Sequence, residues 1–274
     1  MRTLCWWFSF LIILPVGTAA AQSDSARAPV DVPGIVSRTD MLRLGGFALL
    51  TAAAYQMDGA ARDAVRRPNV QASPSLRSMA NFTYNYGMGG VVLTSAALWG
   101  GGLIMKNETM ATTGLRGVEA IVVSGVITKV IKGVAGRARP RVAPHEPDDF
   151  DLGRGFGVID GDYESFPSGH ATAAFAFAAA VTGEVARRAP RYRNAVAIST
   201  YGLAAVTAYS RMYVDGHWFS DVTLGAGIGM VSGWAITRWH ADRPDNAVDR
   251  WLLRPVVVPG VNGETRLGFS IALP

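Results

Sequence analysis

Long apolar runs alternate with charged, proline-bearing joints along most of this chain. Six runs stand out, at 44–57, 87–105, 117–132, 170–186, 195–210 and 221–237. Each exceeds the roughly four to eight residues of a buried strand, so the pattern predicts helices. Several are rich in Ala and Gly, which lets helix backbones approach closely. The expected fold class is all-α, a six-helix bundle. The 274 residues are enough for one domain with a sizeable core. Beyond 254 the period changes. Val256 and Val258, then Leu267, Phe269 and Ile271, alternate around Asn262-Gly263, which reads equally well as a short C-terminal β-hairpin and as an unstructured tail.

The N-terminus reads as an export signal. Arg2 precedes an apolar run, Leu4 to Val16, broken only by Ser9, and Thr18-Ala19-Ala20-Ala21 then offers a small-residue cleavage site. An uncleaved membrane anchor is the alternative. The organisation expected is therefore a signal peptide over 1–21, a flexible polar leader over 22–40, a helical domain over 41–254 and a tail over 255–274. Cys5, the only cysteine, falls inside the signal, so the mature chain has no disulfide.

Composition narrows the class. Hydrophobic residues make up 49% of the chain and charged residues only 17%, against about 25% charged in an ordinary soluble domain. That leaves a very apolar bundle or a membrane protein. A net charge of +5 and a pI near 9.6 suit an anionic substrate or surface. Nucleic acid is a poor fit, because the arginines are scattered over helix ends with no aromatic-interleaved basic strip.

Three short clusters carry candidate chemistry, each at a helix end. The first is Lys132, six residues, then Arg139-Pro140. The second is Pro167-Ser168-Gly169-His170, opening the fourth helix. The third is Ser210-Arg211, five residues, His217, three residues, Asp221. If the sixth helix has begun by His217, Asp221 lies one turn on and its carboxylate can fix one ring nitrogen, leaving the other as nucleophile. Ser168 is a good N-cap, Gly169 allows close backbone approach, and the first-turn amides make an anion site beside His170. Lys132, Arg139 and Arg211 supply cations for a transferring phosphoryl group. Lys129, Arg137 and Arg141 read instead as solvated residues at a helix end. In an up-down bundle all three clusters fall on one face. The 133–167 joint is long enough to expect a functional role.

Together the three motifs resemble the type 2 phosphatidic acid phosphatase (PAP2) family, whose superfamily includes vanadium haloperoxidases and bacterial acid phosphatases. The resemblance runs from about residue 44 to residue 237. It implies a phosphatase acting on a phosphate monoester or pyrophosphate, with His217 attacking phosphorus and Asp221 orienting it. His170 would protonate the leaving group and then activate water. Lys132, Arg139, Arg211 and the amides of Ser168 and Gly169 would hold the phosphate. No metal or cofactor is implied, apart from vanadate if the chain is a haloperoxidase. A non-specific acid phosphatase acting on soluble esters is a further alternative.

Many relatives are membrane lipid phosphatases, which points to a phosphorylated lipid or small molecule as partner. Only the 87–105 run approaches the length of about 20 apolar residues that a spanning helix needs. Six crossings from an outside N-terminus would also put the clusters in the cytoplasm and the basic 187–193 turn outside, against the positive-inside tendency. The sequence therefore favours an exported chain, a periplasmic bundle or one held at the envelope membrane, with its site outside the cytoplasm.

Overall fold

The computed structural model describes residues 34–157, 161–253, 256–259 and 265–268. The expected signal peptide, most of the leader and the Asn262-Gly263 turn lie outside them. Helix α1 (Arg38–Tyr55) opens on a reciprocal cap. Ser37 Oγ accepts from the Asp40 amide, and Asp40 Oδ2 accepts from the Ser37 amide at 2.9 Å. Three helices follow where the sequence suggested only a joint: α2 (Asp58–Val65), α3 (Pro68–Gln71) and α4 (Pro74–Asn85). They are short and polar, so a search for long apolar runs passes over them. Pro68 and Pro74 start two of them, where a missing N–H costs nothing.

A π-helical turn, Tyr86–Gly90, carries α4 directly into α5 (Val91–Ile104). Then come α6 (Glu108–Ala135), α7 (Gly169–Arg188), α8 (Arg193–Tyr213), α9 (Phe219–Ala241) and the short α10 (Ala247–Leu252). With α4 and α5 counted as one rod, the six expected long helices are all present. Val256–Pro259 (β1) pairs antiparallel with Thr265–Gly268 (β2), in a register that sets Val256 opposite Gly268. The described residues of the tail are thus paired strands; the residues between and after them lie outside the described residues.

Helix α7 is the centre of the bundle, flanked by α6, α8 and α9. Its buried face is mostly alanine, and the core adds Val91, Ile121, Phe177, Val181 and Ile236. Small residues allow the tight fit. A Cβ on Gly233 of α9 would stand 2.6 Å from the Ala179 Cβ and 2.8 Å from the Ala180 nitrogen of α7, so any larger residue forces the two helices apart. At one end Asp249 of α10 takes Arg116 at 2.7 Å and His240 at 3.2 Å. At the other end lie the C-termini of α6 and α8 and the N-termini of α7 and α9.

The outer faces are unusually apolar. Leu42, Leu49 and Leu50 on α1, Leu93 and Ile104 on α5, and the ridge Val122, Val126, Val130 and Val134 on α6 are all exposed. Among the described residues one helical stretch, Tyr86–Ile104, is long and apolar enough to cross a membrane, and only 22% of it is buried.

Candidate active site

The turn before α9 sets the site. Helix α9 starts at Phe219, with Trp218 as N-cap, so His217 precedes the helix. The expectation that His217 and Asp221 share a helical face is therefore not met. Asp221 occupies the third helical position and turns back, its Oδ2 accepting the Trp218 amide at 2.7 Å. It caps the helix, as a carboxylate there should. Ser165 Oγ donates to the same oxygen. His217 Nδ1 lies 3.7 Å from Asp221 Oδ2, too far for a hydrogen bond.

The partner that orients His217 is a backbone group. His217 Nδ1 is 2.7 Å from the Ser165 carbonyl oxygen. A carbonyl can only accept, so the proton sits on Nδ1 and the lone pair on Nε2. The task expected of Asp221 is thus done by Ser165, which Asp221 in turn holds. The nearby carboxylate is still placed to favour positive charge on the ring once Nε2 has formed a bond. Nothing in a sequence marks a backbone acceptor 52 positions away.

The cations converge as expected. Arg139 Nη1 is 3.0 Å from the Gly216 carbonyl and 3.5 Å from His217 Nε2. Buried Lys132 donates to the Glu164 carbonyl. Arg211, at the end of α8, is buried with Nε and Nη1 lacking any acceptor. A buried guanidinium with unused donors is costly, and an anion is what would satisfy it. His217 is held well below the ordinary histidine value, by burial first and then by Lys132, Arg139, Arg211 and His170. His170 is lowered to about 4 by burial, Arg211, Arg139 and Lys132. Lys132 is lowered to about 7 by burial and Arg139. Both imidazoles are therefore neutral at pH 7 until an anion enters and offsets the cations.

Ser168 caps α7 as expected, but its amide is engaged elsewhere, donating to the Asp221 carbonyl at 3.0 Å. Its predicted place as a phosphate-holding amide is corrected: Ser168 ties α7 to α9. Gly169, at the first helical position, has no intrahelical acceptor for its N–H and keeps the role open to it.

The largest correction concerns Arg137. Lys129 and Arg141 are solvated, 58% and 46% exposed, each beside an acid. Arg137 is fully buried. Its Nη1 donates to Asp221 Oδ1 and Ser220 Oγ, both at 2.7 Å, and its Nη2 to Asp58 Oδ2 at 2.7 Å. Asp58 Oδ1 accepts the Ser220 amide at 2.8 Å. Burial pushes Asp58 upward, and Arg137 is the strongest opposing influence. This buried set ties α2, the long joint and α9 together directly behind His217.

Fold and site together define a helical bundle that gathers two imidazoles, His170 and His217, with the cations Lys132, Arg139 and Arg211 at one end, a set of side chains suited to an oxyanion. Residues 114–245 match the model of the PAP2 superfamily. The chain is similar to the lipid A 1-phosphatases of Rhizobium etli, 36% identical over 118 residues (42% of this chain, 43% of that protein), and Rhizobium johnstonii, 36% over 113 residues (40% of each). The lipid A 1-phosphatase of Porphyromonas gingivalis is 39% identical over 78 residues, 28% of this chain and 16% of that protein. The chain thus spans less than half the length of these curated relatives. The crystal structure of a transmembrane PAP2 type phosphatidylglycerolphosphate phosphatase from Bacillus subtilis superposes with a TM-score of 0.58 at 20% identity, covering 77% of this chain and 99% of that one. That likeness concerns the fold.

Proposed function

We propose that this chain is a membrane-associated lipid phosphate phosphatase working through a phosphohistidine. The observation that carries the reading is His217. Its Nδ1 proton is pinned by the Ser165 carbonyl, and its Nε2 lone pair faces the cations. Nε2 attacks phosphorus while the ester P–O bond breaks, and His170, protonated once substrate offsets the cations, gives its proton to the leaving oxygen. A water then attacks phosphorus, passes its proton to His170, and the P–N electrons return to Nε2 with release of orthophosphate. Lys132, Arg139, Arg211 and the Gly169 amide hold the three equatorial oxygens. The donor set is cationic and suits an anion, so the reaction is assigned no resident metal.

Two results are expected from the full-length protein. Alkaline quenching during turnover of a labelled phosphate ester traps an acid-labile, base-stable phosphoprotein. In addition, kcat/KM falls as pH rises through about 7, because the Lys132 charge present below that value is lost above it. Absence of the trapped species rules out the covalent route, and a profile flat to pH 9 shows that Lys132 keeps its charge above 7.

Membrane association is supported by the exposed leucines of α1 and the valine ridge of α6, since contiguous exposed apolar residues mark partner or membrane surfaces. Lipid A and phosphatidylglycerolphosphate, named for the relatives, are the substrate class to test first. The active face is assigned to the outside of the cytoplasm and the basic Arg187, Arg188, Arg191 and Arg193 to the inside, an orientation that puts the start of α1 on the cytoplasmic side, in place of the exported leader expected from the sequence. The protein should stay in the pellet through carbonate washing and leave it only with detergent; release by carbonate alone would refute this placement.

A further inference from the structure

The π-helical turn between α4 and α5 lies against the site, and the chemistry above makes no use of it. π-turns recur at functional positions because they re-aim side chains. Here the turn brings the rod's backbone close to His170. A Cβ on Gly87 would stand 3.1 Å from His170 Cδ2 and 2.9 Å from Thr207 Cγ2, so only glycine fits without displacing them. One turn earlier, Tyr84 sets its ring 5.0 Å from the Arg211 guanidinium carbon. The same ring lies nearly parallel to the His170 imidazole, with centroids 6.0 Å apart and planes 24° apart.

Arg211 needs such a neighbour. It is buried, two of its nitrogens lack acceptors, and among the described residues no carboxylate lies within ion-pair distance. The electron-rich face of an aromatic ring attracts a guanidinium without using its N–H donors. A carboxylate would hold the cation more strongly but would occupy those donors and cancel the charge. Tyr84 is 56% exposed, so it is not part of the packed core and has little to do for stability.

We infer that Tyr84 is a positioning residue, whose ring holds the Arg211 guanidinium in place and keeps its donors open for the phosphate. The ring also limits the swing of His170 beside it. The inference rests on the phosphate-binding reading of the site.

The test uses full-length wild type, Tyr84→Phe and Tyr84→Leu. Inorganic phosphate affinity is read by calorimetry, and kinetics are read on p-nitrophenyl phosphate and a short-chain phosphatidate. Tyr84→Phe keeps the ring and stays within about twofold of wild type, whereas Tyr84→Leu loses roughly tenfold in phosphate affinity and raises KM correspondingly. Phenylalanines of increasing fluorination at position 84 keep the volume, and so the fold, while draining the ring face; phosphate affinity falls stepwise along that series. Equal phosphate affinity for wild type and Tyr84→Leu, or an equal loss in Phe and Leu, overturns the role of the ring. A wild type that neither binds phosphate nor hydrolyses either ester overturns the phosphatase reading itself, and this inference with it.

Discussion

Alanine at position 217 is expected to remove at least about four orders of magnitude from kcat, leaving the helical circular dichroism spectrum unchanged. The size of the loss follows from the site's division of labour. The cations and the Gly169 amide still bind the phosphate in the variant, so KM or product inhibition moves little. What vanishes is the only imidazole nitrogen with a lone pair facing those cations and its other nitrogen pinned. The fold survives, because the change leaves one unpaired carbonyl, Ser165, at a cost of about 1–3 kcal/mol. His170→Ala should differ in kind. It slows phosphoenzyme formation severely from esters of alkyl alcohols but much less from p-nitrophenyl phosphate, since p-nitrophenolate leaves without a proton, while hydrolysis of the phosphoenzyme slows for both. Measuring the p-nitrophenolate burst and the steady-state rate for both variants separates the roles: His170→Ala keeps the burst and His217→Ala loses it. Residual activity within tenfold of wild type for His217→Ala would remove it as nucleophile.

Arg137→Met is expected to be the most destabilising single change near the site, by about 3–5 kcal/mol. The guanidinium is fully buried and bridges two fully buried carboxylates, Asp58 and Asp221. Removing it strands both. Domains of this kind hold only about 5–15 kcal/mol in all, so a large share of the stability goes. Asp58 suffers most, since burial already pushes it upward and Arg137 is its chief counterweight. Adding Asp58→Asn to Arg137→Met should recover part of the loss by removing one stranded charge. The measurement is the denaturation midpoint with its slope, which must stay constant for the comparison to hold. Because Arg137 also fixes Asp221, activity should fall at temperatures where the variant is still folded. An Arg137→Met protein as stable and as active as wild type would show that the buried set does not support the nucleophile.

The contrast between these two residues explains what could be read in advance. His217, His170 and the cations Lys132, Arg139 and Arg211 carry their chemistry in their own side chains and sit at helix ends, where helix polarity brings them together. Arg137 stands two residues from Arg139 and looks no different on paper. Its partners lie 79, 83 and 84 positions away, and no local pattern reports whether a charge will be matched at that range. The Ser165 carbonyl was illegible for another reason: every residue has one. The three small helices of 58–85 were missed because they are held by capping and ion pairs, Arg62 and Arg66 on Asp215 among them, rather than by an apolar stripe. The π-turn was hidden in a run whose hydrophobicity predicted a helix correctly but not its register.

The pairing of Asp58 with Ser220 spans 162 residues, and this has a bearing on the order in which the site is assembled. Asp58 emerges early in synthesis and Asp221 late, with most of the bundle between them. Until α9 arrives, Asp58 and Arg137 lack Ser220 and Asp221, and the turn bearing His217 has nothing to brace it. Closing so long a loop is slow, and it coincides with completion of the anion pocket. On the proposed reading a half-made chain lacks the site, and competence for chemistry serves as a receipt that folding has finished.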